Sequence, residues 1–118
     1  MEETGKVLRV VRHTDEFDEF YKNLDAKVKD KFDRTIDMIC TIYPISTKYI
    51  KKLINSDLYE MRVSVGTNEY RTILFSTNHP NIIEATEIIL LNGFLKKSNK
   101  DYDKQIKKAE KIINDVNI

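Results

Sequence analysis

The sequence predicts an α+β protein, a small antiparallel sheet with a helical hairpin before it and one helix after it. Three observations lead there. Two amphipathic helical stripes occupy the first third of the chain, three strand signals follow one another from residue 58 onward, and a lysine-rich helical pattern comes last. With 118 residues the chain suits a single domain, 1–118, large enough to bury a core without staples.

The elements can be justified in order. Residues 6–12, KVLRVVR, read as a short strand carried by Val, Leu and Val. Thr14 is a helix N-cap, and Phe17, Phe20, Tyr21 and Leu24 follow it at helical spacing. Asp15 and Glu16 in the first turn suit the helix dipole. A second helix is predicted over about 25–42, with Val28, Phe32, Ile36, Ile39, Cys40 and Tyr43 as its apolar stripe. Pro44 stops it.

Residues 46–56, STKYIKKLINS, suggest one or two helical turns capped by Ser46 or Thr47. Strands 58–65 and 69–77 are joined by Gly66-Thr67-Asn68, the residue types a tight hairpin requires. After a turn at Asn78-His79-Pro80-Asn81, a third strand is expected over 82–91, ended by Gly93. Its β-branched residues on both faces suit a central position. The tail, 101–116, carries Tyr102, Ile106, Ala109, Ile113 and Val116 on one helical face. On this reading the helices cover one sheet face and leave the other open.

Composition narrows the function classes. The hydrophobic fraction of 41% and charged fraction of 33% describe a globular chain. A lone cysteine, Cys40, excludes an internal disulfide and a thiolate metal cluster, and its apolar stripe makes it a core residue. His13 and His79 are isolated and read as surface residues, and nothing matches metal-ligand spacing. No stretch approaches the roughly 20 apolar residues of a membrane span, and the N-terminus lacks the apolar core of a signal peptide. A cytoplasmic protein without metal or cofactor is expected. The net charge of +1 conceals an asymmetry: residues 92–111 hold seven lysines against three acidic residues.

Strand alternation places Tyr59, Met61, Val63 and Val65 on one face of the hairpin and Glu60, Arg62 and Ser64 on the other. Arg71 on the partner strand reaches the rim of that second face, with Lys51 and Lys52 before the hairpin and Lys96 and Lys97 after the third strand. These can converge on one concave surface. The plain alternative is a solvated sheet face with Glu60 and Arg62 simply paired. The sharper reading is a phosphate site, because arginine offers a bidentate fork and stays charged. Nearby aromatics (Tyr59, Tyr70, Phe94 and Tyr102) suit nucleic acid.

In their order, KKLINSDLYEMRVSVGTNEYRTILFS and IILLNGFLKKSNKDYDKQIKKAEKII resemble the RelE/HigB toxins of type II toxin–antitoxin systems. The likeness is to the phage-derived HigB-like branch of the RelE/ParE superfamily and spans about residues 48–113. It implies a RelE-like fold and a ribosome-dependent mRNA endoribonuclease, in which the 2′-hydroxyl attacks the adjacent phosphorus without a metal. Basic groups would stabilise the phosphorane charge, each well-placed donor contributing roughly 3–4 kcal/mol. By the resemblance, Arg71 and Arg62 take the scissile phosphate, Lys96 supplies a further cation and Tyr102 a catalytic or base-stacking ring. The plain alternative for Tyr102 is core. Lys51, Lys52, Lys97 and Lys100 would bind RNA.

Several relatives have lysine where this chain has Glu60. Glu60 therefore either takes the 2′-hydroxyl proton or orients Arg62; a carboxylate beside two arginines is a weak base, which favours orientation. The resemblance also implies a HigA-like helix-turn-helix antitoxin, with operator DNA bound only through it. Two rivals share the fold: a ParE-like gyrase poison and a non-catalytic antitoxin-binding remnant. A structure with Arg71 salt-bridged and covered favours these two.

Overall fold

Thr14 fixes the entry to the first helix, because its hydroxyl accepts from the backbone N–H of Phe17 at 3.1 Å. The computed structural model describes residues 9–42, 48–53, 56–78, 81–82 and 84–116. Their elements run β1 (Val10–His13), α1 (Asp15–Lys22), α2 (Ala26–Thr41), β2 (Ile50–Lys52), β3 (Tyr59–Val65), β4 (Asn68–Ser76), β5 (Glu87–Leu95) and α3 (Asn99–Val116). The sheet order is β1-β5-β4-β3-β2. All pairings are antiparallel except β1 with β5, so the sheet is mixed rather than purely antiparallel.

α1, α2 and the hairpin agree with the sequence reading. Between β3 and β4, Val65 pairs with Asn68 and leaves a two-residue turn. Its first position is Gly66 at φ +61°, a backbone state that side chains disfavour.

Four expectations need correction. Residues 50–52 form a strand instead of a helical turn: Ile50 is buried and Lys51 and Lys52 are exposed along the sheet edge. Ser46 and Thr47 lie outside the described residues, as do residues 6–8 of the first strand and His79. The last strand starts at Glu87; Ile82 and Ala85 are buried in a turn, where Ala85 N–H donates to Ile82 O at 3.2 Å. Gly93 does not end that strand, which runs on to Leu95.

At Gly93 an added Cβ would lie 2.3 Å from Phe20 Cδ2. The half-buried Phe20 ring packs against Phe17 and Phe32, with centroids 5.9 and 5.7 Å away, so making room for the methyl disturbs that packing. Gly93→Ala is expected to cost about 1–3 kcal/mol of unfolding free energy by overpacking, read from urea melts.

The fourth correction concerns the open face. α1 and α2 cover one face, over a cluster that includes Phe17, Phe32, Met61, Val63 and Leu74. α3 covers the other, over Leu53, Leu58, Ile73, Leu91 and Phe94, through Ala109 and Ile112. The Asn92 amide anchors it by donating to Gln105 Oε1 at 2.9 Å. A bulge in β5 opposite Ile73 and Leu74 leaves Leu91 unpaired, so Leu91 and Asn92 both turn toward α3 while Leu90 packs under α1 and α2.

Buried Arg9, unremarked in the sequence, ties the start of β1 to the end of α2 and to the turn before β5. It donates to the carbonyls of Ala85, Ile39 and Ile42 at 2.7–2.8 Å. Cys40 is half-buried and carries a free thiol whose pKa is raised by that burial. His13 is exposed and meets Asp18 at 2.6 Å.

Candidate active site

Strand register sets the site. Arg62 lies directly opposite Arg71, and Lys51 directly opposite Glu60. Like charges facing each other across a ladder repel. Glu60 precedes Arg62 by two residues on the same face and relieves that repulsion. One carboxylate oxygen, Oε2, accepts from Arg62 Nε at 2.7 Å and lies 3.6 Å from Arg71 Nε. The other, Oε1, accepts from the hydroxyl of Tyr102, which α3 carries over the sheet.

Arg71 is held at its far end too. Its Nη1 donates to Glu69 Oε1 at 3.2 Å and to the Tyr70 carbonyl at 3.1 Å. Ser64 Oγ donates to the same Glu69 oxygen at 2.8 Å. Ser64 and Arg71 together hold the Glu69 carboxyl below its ordinary range.

Depth separates the two arginines. The Arg71 side chain is 7% exposed and that of Arg62 is 39% exposed, with Glu60 at 2%. Arg62 reaches a cleft of about 390 Å³ between β2, β3 and the start of α3. Lys51, Lys52, Glu60, Lys96 and Tyr102 line it with Arg62. Six of the nine residues expected at the site therefore meet there.

The other three do not line that cleft. Arg71 is placed otherwise than expected for a phosphate contact: it sits behind Glu60, salt-bridged and covered. Lys97 lines a separate hollow with Phe94 and Gln105. Lys100 is exposed on the first turn of α3.

Tyr102 is both core and site. Its ring tilts against Phe94, centroids 5.9 Å apart, and Lys96 Nζ stands 5.5 Å from its centre. Burial, then the bond to Glu60, raises the phenol's pKa above its ordinary value. The neutral hydroxyl is thus a donor, not a base. A folded pKa above the unfolded one contributes stability that is complete below pH ~10 and is lost as pH rises through the folded pKa. Ultraviolet titration of the folded protein should show a late phenol step shared by Tyr102 and by Tyr21, which its bond to Asp33 raises, and a Tyr102→Phe variant should lose the Tyr102 part of it.

Sequence reasoning missed Glu69 and Asp103. Glu69 carries a readable signal, two residues before Arg71 and opposite Ser64. Asp103 enters the cleft beside Tyr102, and only the placement of α3 reveals it.

A family profile described as "Phage derived protein Gp49-like (DUF891)" matches residues 19–114. The chain belongs to the phage-derived Gp49-like family. This bears out the phage-derived branch that the hairpin and tail residues resemble. The Gp49-like fold is also that of a chain in the crystal structure of the intact E. coli RelBE toxin–antitoxin complex. The TM-score is 0.54 at 10% identity, covering 76% of the Gp49-like chain and 99% of the other. The expected α+β, RelE-like architecture is thereby shown. No curated protein sequence matches significantly. Among the described residues of this Gp49-like protein, no helix is long and apolar enough to cross a membrane.

Proposed function

We propose that this protein is the toxin of a type II toxin–antitoxin pair and a metal-independent endoribonuclease acting on ribosome-bound mRNA in the cytoplasm. The observation that carries this reading is the convergence of Lys51, Lys52, Arg62, Lys96 and Tyr102 on one cleft in a RelE-like fold. Four cations there face two carboxylates, Glu60 and Asp103, so the cleft favours a phosphate.

In this reading the 2′-hydroxyl attacks the adjacent phosphorus and gives its proton to water, the P–O5′ bond breaks and the 5′ oxygen leaves as a hydroxyl by taking a proton from water, and a 2′,3′-cyclic phosphate is left. Arg62 and Lys96 stabilise the charge gathering on the phosphorane oxygens. Lys51 and Lys52 hold the RNA backbone, and Lys97 and Lys100 extend that track along the start of α3. Glu60 orients Arg62, and Arg71 fixes Glu60 from behind. Without a committed base, the site takes the alignment of the attacking hydroxyl from the ribosome. The partner in this reading is a HigA-like helix-turn-helix antitoxin, and operator DNA is bound through it.

One observation favours a second reading. Arg71 is covered and paired at both ends, as an antitoxin-binding remnant or a gyrase-directed ParE-like relative would tolerate. Neither of these requires the other cations to converge.

Primer extension on a reporter mRNA in a purified translation system separates the readings. Wild-type protein should create new ends only with ribosomes. Arg62→Ala should lower their yield about a hundredfold. Intact RNA beside folded wild-type protein would transfer the assignment to the second reading.

A further inference from the structure

A second concavity lies on the opposite face of the sheet. It runs between α2 and the turn end of β3, with a volume of about 450 Å³. Its floor is made by Met38, Tyr49 and Val65, each half-buried. Its rim is basic: Lys27, Lys31 and Arg34 follow one another along α2 at one-turn spacing and are exposed. Lys31 Nζ donates to the Ser64 carbonyl and joins helix to hairpin. Arg34 pairs with Asp30. Among the described residues Lys27 has no ion-pair partner.

We propose that this groove receives an acidic amphipathic helix from a protein partner. Charge and shape both argue for that occupant. Three cations against Asp30 leave the rim positive, so glutamates or aspartates along a helix flank would pair with it. The half-buried floor would lose its remaining water to an apolar stripe. From Lys27 to Met38 the α-helical rise gives about 17 Å, room for three turns of a docked helix.

Nucleic acid fits less well. The floor is largely aliphatic, Tyr49 already carries Lys48 5.7 Å from its ring centre, and Asp30 would face a phosphate chain. That the partner is the antitoxin rests on the toxin reading above; the docking chemistry does not. An antitoxin seated here would leave the cleft uncovered, since the cleft lies under α3 on the other face. It would then inhibit by keeping the toxin off the ribosome.

The test is an NMR titration of the full chain with a synthetic helical peptide bearing a leucine stripe and glutamates elsewhere. Saturable shifts are expected at Lys27, Lys31, Arg34, Met38, Tyr49 and Val65, with Lys51, Arg62 and Lys96 unmoved. Lys27→Glu/Arg34→Glu should weaken the peptide about tenfold, raised salt should weaken it too, and a lysine-for-glutamate peptide should not bind. Absence of saturable binding, shifts confined to the cleft, or a short RNA moving the groove resonances would overturn the proposal. The same charge-reversed variant should cut reporter mRNA as wild type does. Loss of all cutting by wild type removes the toxin reading and leaves the peptide map standing; a failed map removes the groove and leaves the cutting standing.

Discussion

Arg71→Ala should lower the unfolding free energy by about 3–5 kcal/mol, because it strips a buried carboxylate of its deep cation. Glu60, 2% exposed, would keep only Arg62 and Tyr102, and Glu69 would lose its arginine. A domain has about 5–15 kcal/mol in total, so this is a large fraction. Urea melts would measure it. Arg71→Lys should lose less, since an ammonium keeps the charge but cannot span both carboxylates. A double-mutant cycle with Glu60→Ala should show strong coupling. A melt for Arg71→Ala matching wild type would return Arg71 to the role of a free phosphate ligand.

Glu60→Gln has the next largest effect, and on catalysis. The amide keeps the shape, and its oxygen can still accept from the arginines while its NH2 meets the Tyr102 hydroxyl, but the negative charge that holds both guanidinium groups is gone. Arg62 then keeps only a neutral acceptor in place of its charged 2.7 Å anchor and is held less firmly. A misplacement on the order of 1 Å at a reacting centre can cost about a hundredfold in rate, and that is the expected fall in mRNA cutting. The pH–rate profile decides the role. If Glu60 positions Arg62, the rate drops at every pH and the acid limb keeps its shape. If Glu60 takes the 2′-hydroxyl proton, the acid limb disappears in Glu60→Gln. Circular dichroism of the variant guards against a trivial loss of folding.

Much of this was legible beforehand, for identifiable reasons. α1 and α2 carry long apolar stripes and a true cap at Thr14, and period 3.6 is a strong signal over such lengths. The hairpin combines alternation with a glycine turn. β2 is not legible, because three residues give no period: Ile50-Lys51-Lys52 suits a helical turn as well as an edge strand. The apolar face of α3 was visible, but no pattern says which side of a sheet a helix will cover. That gap hid the depth of the site. Alternation put Glu60 and Arg62 on one face, yet only α3 above them makes Glu60 buried and Tyr102 its partner. From the strand alone Arg71 reads as a rim residue, because the sequence places neither α3 nor Glu69 around it.

The parallel strand at the start of the chain has a kinetic consequence. The hydroxyl of Thr14 donates to the carbonyl of Leu91, 77 positions later, and Arg9 reaches Ala85 across 76. The β3–β4 hairpin needs only its own turn and can close in about 1–10 μs. β1 must wait until β5 exists and a loop of that length has closed. During the wait one edge of β5 stands bare, an invitation to stray strands. The half-built sheet is therefore the species most exposed to aggregation, and a partner protein present while the chain is being made would shorten its life.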